Sequence, residues 1–166
     1  MARQRVPGRP AADLAVAAAL ISSLSGDAIA EETEMSEHLT QKLLNDIESP
    51  APKTASWQRT IEKLRKKIEK TEDLYEKLML QRIVRQISVT AYETAFSRQQ
   101  SLNLDQLMFC YDVWIFTTPQ NPYGYFIQMQ NAMKKNDKDL ALEYLKRLVD
   151  TGYKDINTIK NFLQII

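Results

Sequence analysis

Few residues in this chain are equipped for chemistry. His38 and Cys110 are its only histidine and only cysteine. Nucleophilic catalysis needs an activating base beside the nucleophile, and a transition metal needs several such ligands, so one of each kind, far apart in sequence, points to neither. Cys110 lies in the apolar run LMFCYDVWIF, which predicts a buried, inert thiol and allows no intramolecular disulfide. His38 reads as a surface histidine. The chain contains no G-x-S-x-G, no P-loop, no G-x-G-x-x-G and no H-E-x-x-H. Glu72-Asp73 and Asp137-Lys138-Asp139 stand where helices should begin, and acids there complement the positive end of the helix dipole. The expectation is a protein that is not an enzyme and takes no cofactor or metal. One group suits recognition instead: Tyr111, Trp114, Tyr123, Tyr125 and Phe126 form an aromatic-rich region. Such side chains pack cores, and when exposed they anchor interfaces, so these five are the candidate partner-binding residues.

The elements that would position them are helical. Of 166 residues, 44% are hydrophobic and 26% charged, as in an ordinary globular protein of one domain, with or without a tail. Only 4 glycines occur, and none, nor any proline, falls between Lys53 and Thr118. That stretch predicts long helices joined by polar turns. In WQRTIEKLRKKIEKTEDLYEKL, the residues Trp57, Ile61, Leu64, Ile68, Tyr75 and Leu78 form a narrow seam of coiled-coil type. Lys63, Arg65, Lys66, Lys67 and Lys70 read as its solvated outer face, interleaved with Glu62, Glu69 and Glu72. A second helix runs from about Leu74 to Ser97, with Leu80, Ile83, Val84, Ile87, Ala91 and Ala95 inward. A third, LDQLMFCYDVWIF, is apolar nearly all round and belongs at the centre of the fold. Its end, VWIFTT, also suits a strand, but no alternating segment exists to pair with it.

The N-terminal part divides differently. Residues 1–30 resemble a signal peptide: Arg3, Arg5 and Arg9 form a basic region, LAVAAALI an apolar one, and Ala28-Ile29-Ala30 a small-x-small cleavage site. The expected destination is the periplasm or the exterior, after cleavage behind Ala30; a mitochondrial transit segment is the alternative. The apolar run is shorter than the roughly 20 residues a bilayer span needs, so no stable membrane span is expected in the mature chain. Net charge is +1 over the whole chain and about zero without the leader, which argues against nucleic acid as a partner. Residues 31–54 read as a short acidic helix and a proline-containing linker. Met35, Leu39, Leu43 and Ile47 make its apolar stripe, Ser36 is a candidate cap for a helix starting there, and Ser49-Pro50-Ala51-Pro52 ends it.

Residues 55–166 read as one all-α domain. Within it, Tyr125 to Tyr153 is two short amphipathic helices joined at Asn136-Asp137. Ala132 and Ala141 are small residues suited to a close helix crossing, and LEYLKRLVDTGY closes the second helix, with Gly152 at its end. This segment resembles a tetratricopeptide repeat, with Asn136-Asp137 where that family has Gly-Asp. Met129 and Leu148 depart from the pattern at positions where small residues are usual. The resemblance implies antiparallel hairpins stacked as a short right-handed array, and DINTIKNFLQII as a C-terminal capping helix. An unrelated all-α bundle with one repeat-like hairpin is the alternative architecture. Such scaffolds hold a protein or peptide partner, and the other role open to them is an accessory or structural subunit of a larger complex.

Overall fold

The computed structural model describes residues 28–166, with side chains from residue 33 onward. The leader expected over residues 1–30 lies outside the described residues, except that the backbone of Ala28–Ala30 opens the first helix. The described residues are all-α, with no strand among them: α1 (Ala28–Ile47), α2 (Ala55–Lys70), α3 (Leu74–Ser97), α4 (Leu104–Thr117), α5 (Pro122–Lys134), α6 (Lys138–Asp150) and α7 (Ile156–Ile165). VWIFTT is helical through Thr117.

Local chemistry sets most helix starts. From α3 to α7 every helix begins on an Asp or Asn whose side chain accepts from a backbone N–H of the first turn: Asp73, Asn103, Asn121, Asp137 and Asp155. Such a cap satisfies a donor with no partner inside the helix and contributes roughly 0.5–2 kcal/mol. Asn103 and Gln106 form a reciprocal capping box. The same two amides donate to the carbonyls of Pro50 and Ser49, which clamps the proline corner against the start of α4. Two turns need left-handed backbone. Asn136 has φ 57° between α5 and α6, and Gly152 has φ 89° after α6.

Three sequence expectations are corrected. The seam Trp57, Ile61, Leu64, Ile68 does not continue into Tyr75 and Leu78. Helix α2 ends at Lys70, and Asp73 starts α3 with a new phase, so Tyr75 and Leu78 are exposed. Ser36 caps nothing at a helix start, because α1 begins at Ala28 and Ser36 lies inside it. Arg65 is not on the solvated face of α2. It is half-buried, and its guanidinium donates to the Phe116 carbonyl at the end of α4, at 3.2 Å.

Packing explains why α4 is apolar all round. One core cluster unites Met35, Leu39, Leu43 and Ile47 of α1 with Trp57, Ile61 and Leu64 of α2 and the inward stripe of α3. The other unites Tyr125, Met129 and Ala132 of α5 with Ala141, Tyr144, Leu145 and Leu148 of α6. Helix α4 serves both, with Phe109, Cys110 and Val113 in the first and Met108 and Ile115 in the second. Each large side chain so buried contributes about 1.5–3 kcal/mol. The most extensive helix pairs are α5 with α6, α3 with α4, and α1 with α3. The acidic segment read as helix and linker thus supplies four fully buried core residues.

Candidate functional site: an aromatic surface on two helices

The structure separates the five candidate aromatics into three settings. Tyr111 and Trp114, one turn apart on α4, have ring centroids 6.3 Å apart. Trp114 also meets Tyr92 of α3 at 4.9 Å, and Tyr92 stacks on Phe96 at 6.3 Å. These four rings form a chain across α3 and α4, half-buried at Tyr111 and Trp114 and open to solvent at Tyr92 and Phe96. Tyr123 and Phe126 lie apart from them. Phe126 is half-buried against Tyr153 and against Phe162 of α7, at 5.5 and 5.3 Å, while Tyr123 stays exposed at its edge. Phe126 thus connects α5 to α7 through its ring contact with Phe162. Tyr125 is a core residue, and its hydroxyl donates to the Pro119 carbonyl at 2.9 Å. The partner contact expected of Tyr125 is corrected on this ground: its ring is covered by the fold.

Tyr92 and Phe96 escape a reading of the sequence that looks for one buried stripe per helix. Their signal was a second apolar series on α3, offset from Leu80, Ile83 and Ile87 and turned to solvent.

A buried polar joint fixes α4 relative to the last hairpin. Asp112 Oδ1 accepts from the Tyr144 hydroxyl at 2.5 Å and from Gln128 Nε2 at 2.9 Å. Gln128 Nε2 donates as well to the Met108 carbonyl at 2.7 Å, and its Oε1 accepts from Asn131 Nδ2 at 3.2 Å. Asp112, Gln128 and Tyr144 come from α4, α5 and α6, so three helices meet at one hydrogen-bonded knot. Burial pushes the Asp112 carboxyl above the usual carboxylate range, against the opposing effect of its two donors and of Arg147. Burial, and then the neighbouring Asp112 charge, raises the Tyr144 hydroxyl. A raised acid is sometimes a catalytic one. Here its two donors come from neighbouring helices, which is the arrangement of a structural joint. Arg147 sits over the rings of Tyr144 and Tyr125, with Cζ 5.4 and 5.8 Å from their centroids. These cation–π contacts anchor its guanidinium.

Other candidate groups have ordinary settings. Cys110 is fully buried, and desolvation pushes its thiol up to about 12. Among the described residues no three His, Cys, Asp or Glu side chains stand close enough to hold a metal ion, and no helix is long and apolar enough to cross a membrane. Arg59, Lys63, Lys66 and Lys70 form an exposed basic stripe along α2. No protein-family model, curated protein or solved structure matches the chain.

Proposed function

We propose that this chain is a non-enzymatic helical scaffold that binds a protein or peptide partner through the aromatic surface of α3 and α4. The observation that carries this reading is the Tyr92–Trp114 contact with Phe96 beside it. It presents contiguous rings to solvent on a rigid, capped helix pair. Exposed apolar clusters of this kind mark interaction sites, and large aromatics dominate interface energies. The Asp112 joint supports the reading by holding α4 rigidly, which lowers the ordering cost of binding.

The pairing of α3 with α4 and of α5 with α6, followed by α7, is consistent with the stacked hairpins of the tetratricopeptide resemblance. A tetratricopeptide-like array is accordingly part of the proposal. So is export, on the strength of residues 1–30, and intact-mass analysis of native protein should find a chain beginning at Glu31.

The test of binding is comparative capture. Full-length wild type and a Tyr92→Ala/Phe96→Ala variant are each immobilised and exposed to extract from the native organism, and retained proteins are identified by mass spectrometry. A stoichiometric partner held by wild type and lost by the variant supports the proposal. Identical retention by the two sinks it. A second reading, an accessory subunit of a larger complex, is favoured by the exposed Ile156, Leu163 and Ile165 of α7. It predicts that the chain alone is poorly soluble and copurifies with its complex.

A further inference from the structure

Helix α3 carries two faces. Leu80, Ile83, Ile87, Ala91 and Ala95 are buried in the first core cluster. On another face, Tyr75, Leu78, Arg82, Arg85, Val89, Tyr92 and Phe96 recur with alternating spacings of three and four residues over the whole helix. This is an a/d heptad seam, the spacing by which one helix receives another. Every member of it is exposed: Tyr75 49%, Leu78 49%, Val89 37%, Tyr92 40% and Phe96 65%, with both arginines open to solvent. From Tyr75 to Phe96 the seam runs about 32 Å along α3.

The seam is graded in chemistry. Its two ends are apolar, and its centre carries Arg82 and Arg85. Among the described residues, neither arginine has a hydrogen bond, an ion pair or a ring contact. Together with Tyr75, Leu78 and Gln81 they line a shallow hollow on the helix surface. Two unpaired cations at a/d positions oppose any partner that is basic or wholly apolar, and they reward carboxylates. A second copy of this chain fits poorly. In a parallel pairing each arginine meets its own copy, and in an antiparallel pairing centred on the arginines Arg82 meets Arg85.

We propose that the outward seam of α3 receives an amphipathic helix from another protein, apolar where it meets Tyr75–Leu78 and Tyr92–Phe96 and acidic where it meets Arg82 and Arg85. This rests on the binding reading above and names the chemistry of the partner. Recognition then follows the helix-in-groove mode: aromatic and aliphatic anchors supply affinity, and the central charges set register and exclude basic helices. The Tyr92–Trp114 contact places a fluorophore at one end of the seam.

The probes are two synthetic helical peptides of equal length, with leucine at their seam positions. One has glutamates facing the centre and the other has lysines. Binding to the full chain is followed by anisotropy of labelled peptide. The glutamate peptide should bind about tenfold or more tightly than the lysine peptide, with a preference that weakens at high salt. Arg82→Glu/Arg85→Glu should reverse the preference, and circular dichroism should be unchanged because both sites are exposed. Lys63→Glu/Lys66→Glu on α2 makes the same change in net charge and should not reverse it. Equal affinity for both peptides, binding to neither, or reversal by the α2 variant overturns the proposal. So does a dimer in sedimentation that Tyr75→Ala/Leu78→Ala dissociates, which assigns the seam to a second copy. The parent reading fails separately: if a Tyr92- and Phe96-dependent partner is still captured while both peptides are ignored, binding stands and only the acidic helix falls.

Discussion

The Tyr144 hydroxyl donates to Asp112 Oδ1 at 2.5 Å, joining α6 to α4 across 32 residues of chain. With Gln128 Nε2 on the same oxygen, this contact ties α4 to both helices of the last hairpin. It also makes stability depend on pH in a particular direction. Burial holds the folded Asp112 pKa above its unfolded value of about 3.9. Its contribution is therefore fully present below that value and is lost as pH rises through the folded pKa. In Asp112→Asn, the amide oxygen accepts from both donors and does not titrate. The stability of wild type relative to this variant should fall as pH rises from about 3 to 7, read by urea titration at each pH. A constant difference would show that Asp112 titrates as an exposed acid.

Gly124 lies where α5 packs tightly against α4. A Cβ there would lie 2.7 Å from Ile115 Cγ1 and 3.5 Å from the Trp114 ring. In an open helix, Gly→Ala gains about 0.5–1 kcal/mol. Here Ile115 is β-branched and buried, with little rotamer freedom to yield. Gly124→Ala should instead cost about 1–3 kcal/mol. Adding Ile115→Ala should make the glycine change far less costly in a double-mutant cycle. A denaturation midpoint equal to or above that of wild type for Gly124→Ala would refute the crossing.

Lys42 is almost fully buried and pairs with Asp46 one turn on, and Asp46 Oδ2 also accepts from Trp57 Nε1 at 2.8 Å. Removing the carboxylate leaves a buried ammonium and a buried indole N–H unpaired. Asp46→Ala should lower stability by roughly 3–5 kcal/mol. Glu48→Ala breaks the exposed pair with Arg98 and should cost far less. Comparable losses for the two would mean that Lys42 reaches water.

Cys110 should be silent to thiol reagents at neutral pH. Its burial excludes the reagent, and a pKa of about 12 leaves almost no thiolate. Native protein should react with a chromogenic disulfide only at the rate of unfolding, and at once in strong denaturant. Rapid stoichiometric labelling of the folded chain would contradict this.

Ala141 is fully buried in the cluster between α5 and α6, whereas Lys138, one turn earlier, is exposed. Ala141→Leu should cost about 1–3 kcal/mol by overpacking, and Lys138→Leu should cost little. Chemical denaturation of the two variants is the measurement. Equal midpoints would remove the close helix crossing on which the repeat resemblance depends.

The helical plan of this molecule was legible in its sequence. The glycine- and proline-free stretch from Lys53 to Thr118, the helix-start acids Asp73 and Asp137, and the stripes Met35–Leu39–Leu43–Ile47 and Leu80–Ile83–Ile87 are local signals, and local energies settle them. The buried setting of Cys110 and the central place of α4 followed from the same composition. Tertiary packing decided the rest. An apolar stripe records that a face favours cover, but the spacing is the same whether the cover is supplied from within the chain or left to another molecule. Tyr75 and Leu78 continue the spacing of the preceding helix and yet are exposed, because Asp73 restarts the phase. Tyr111 and Trp114 share an aromatic-rich stretch with Tyr123, Tyr125 and Phe126, but the turn at Thr118–Asn121 carries Tyr125 and Phe126 to another core and leaves Tyr123 exposed beside them. Arg65 turns inward because the Phe116 carbonyl ends α4 beside it. Asp112 finds its partners 16 and 32 residues away. Long-range contacts of this kind depend on how helices cross, and one-dimensional periodicity does not encode crossing.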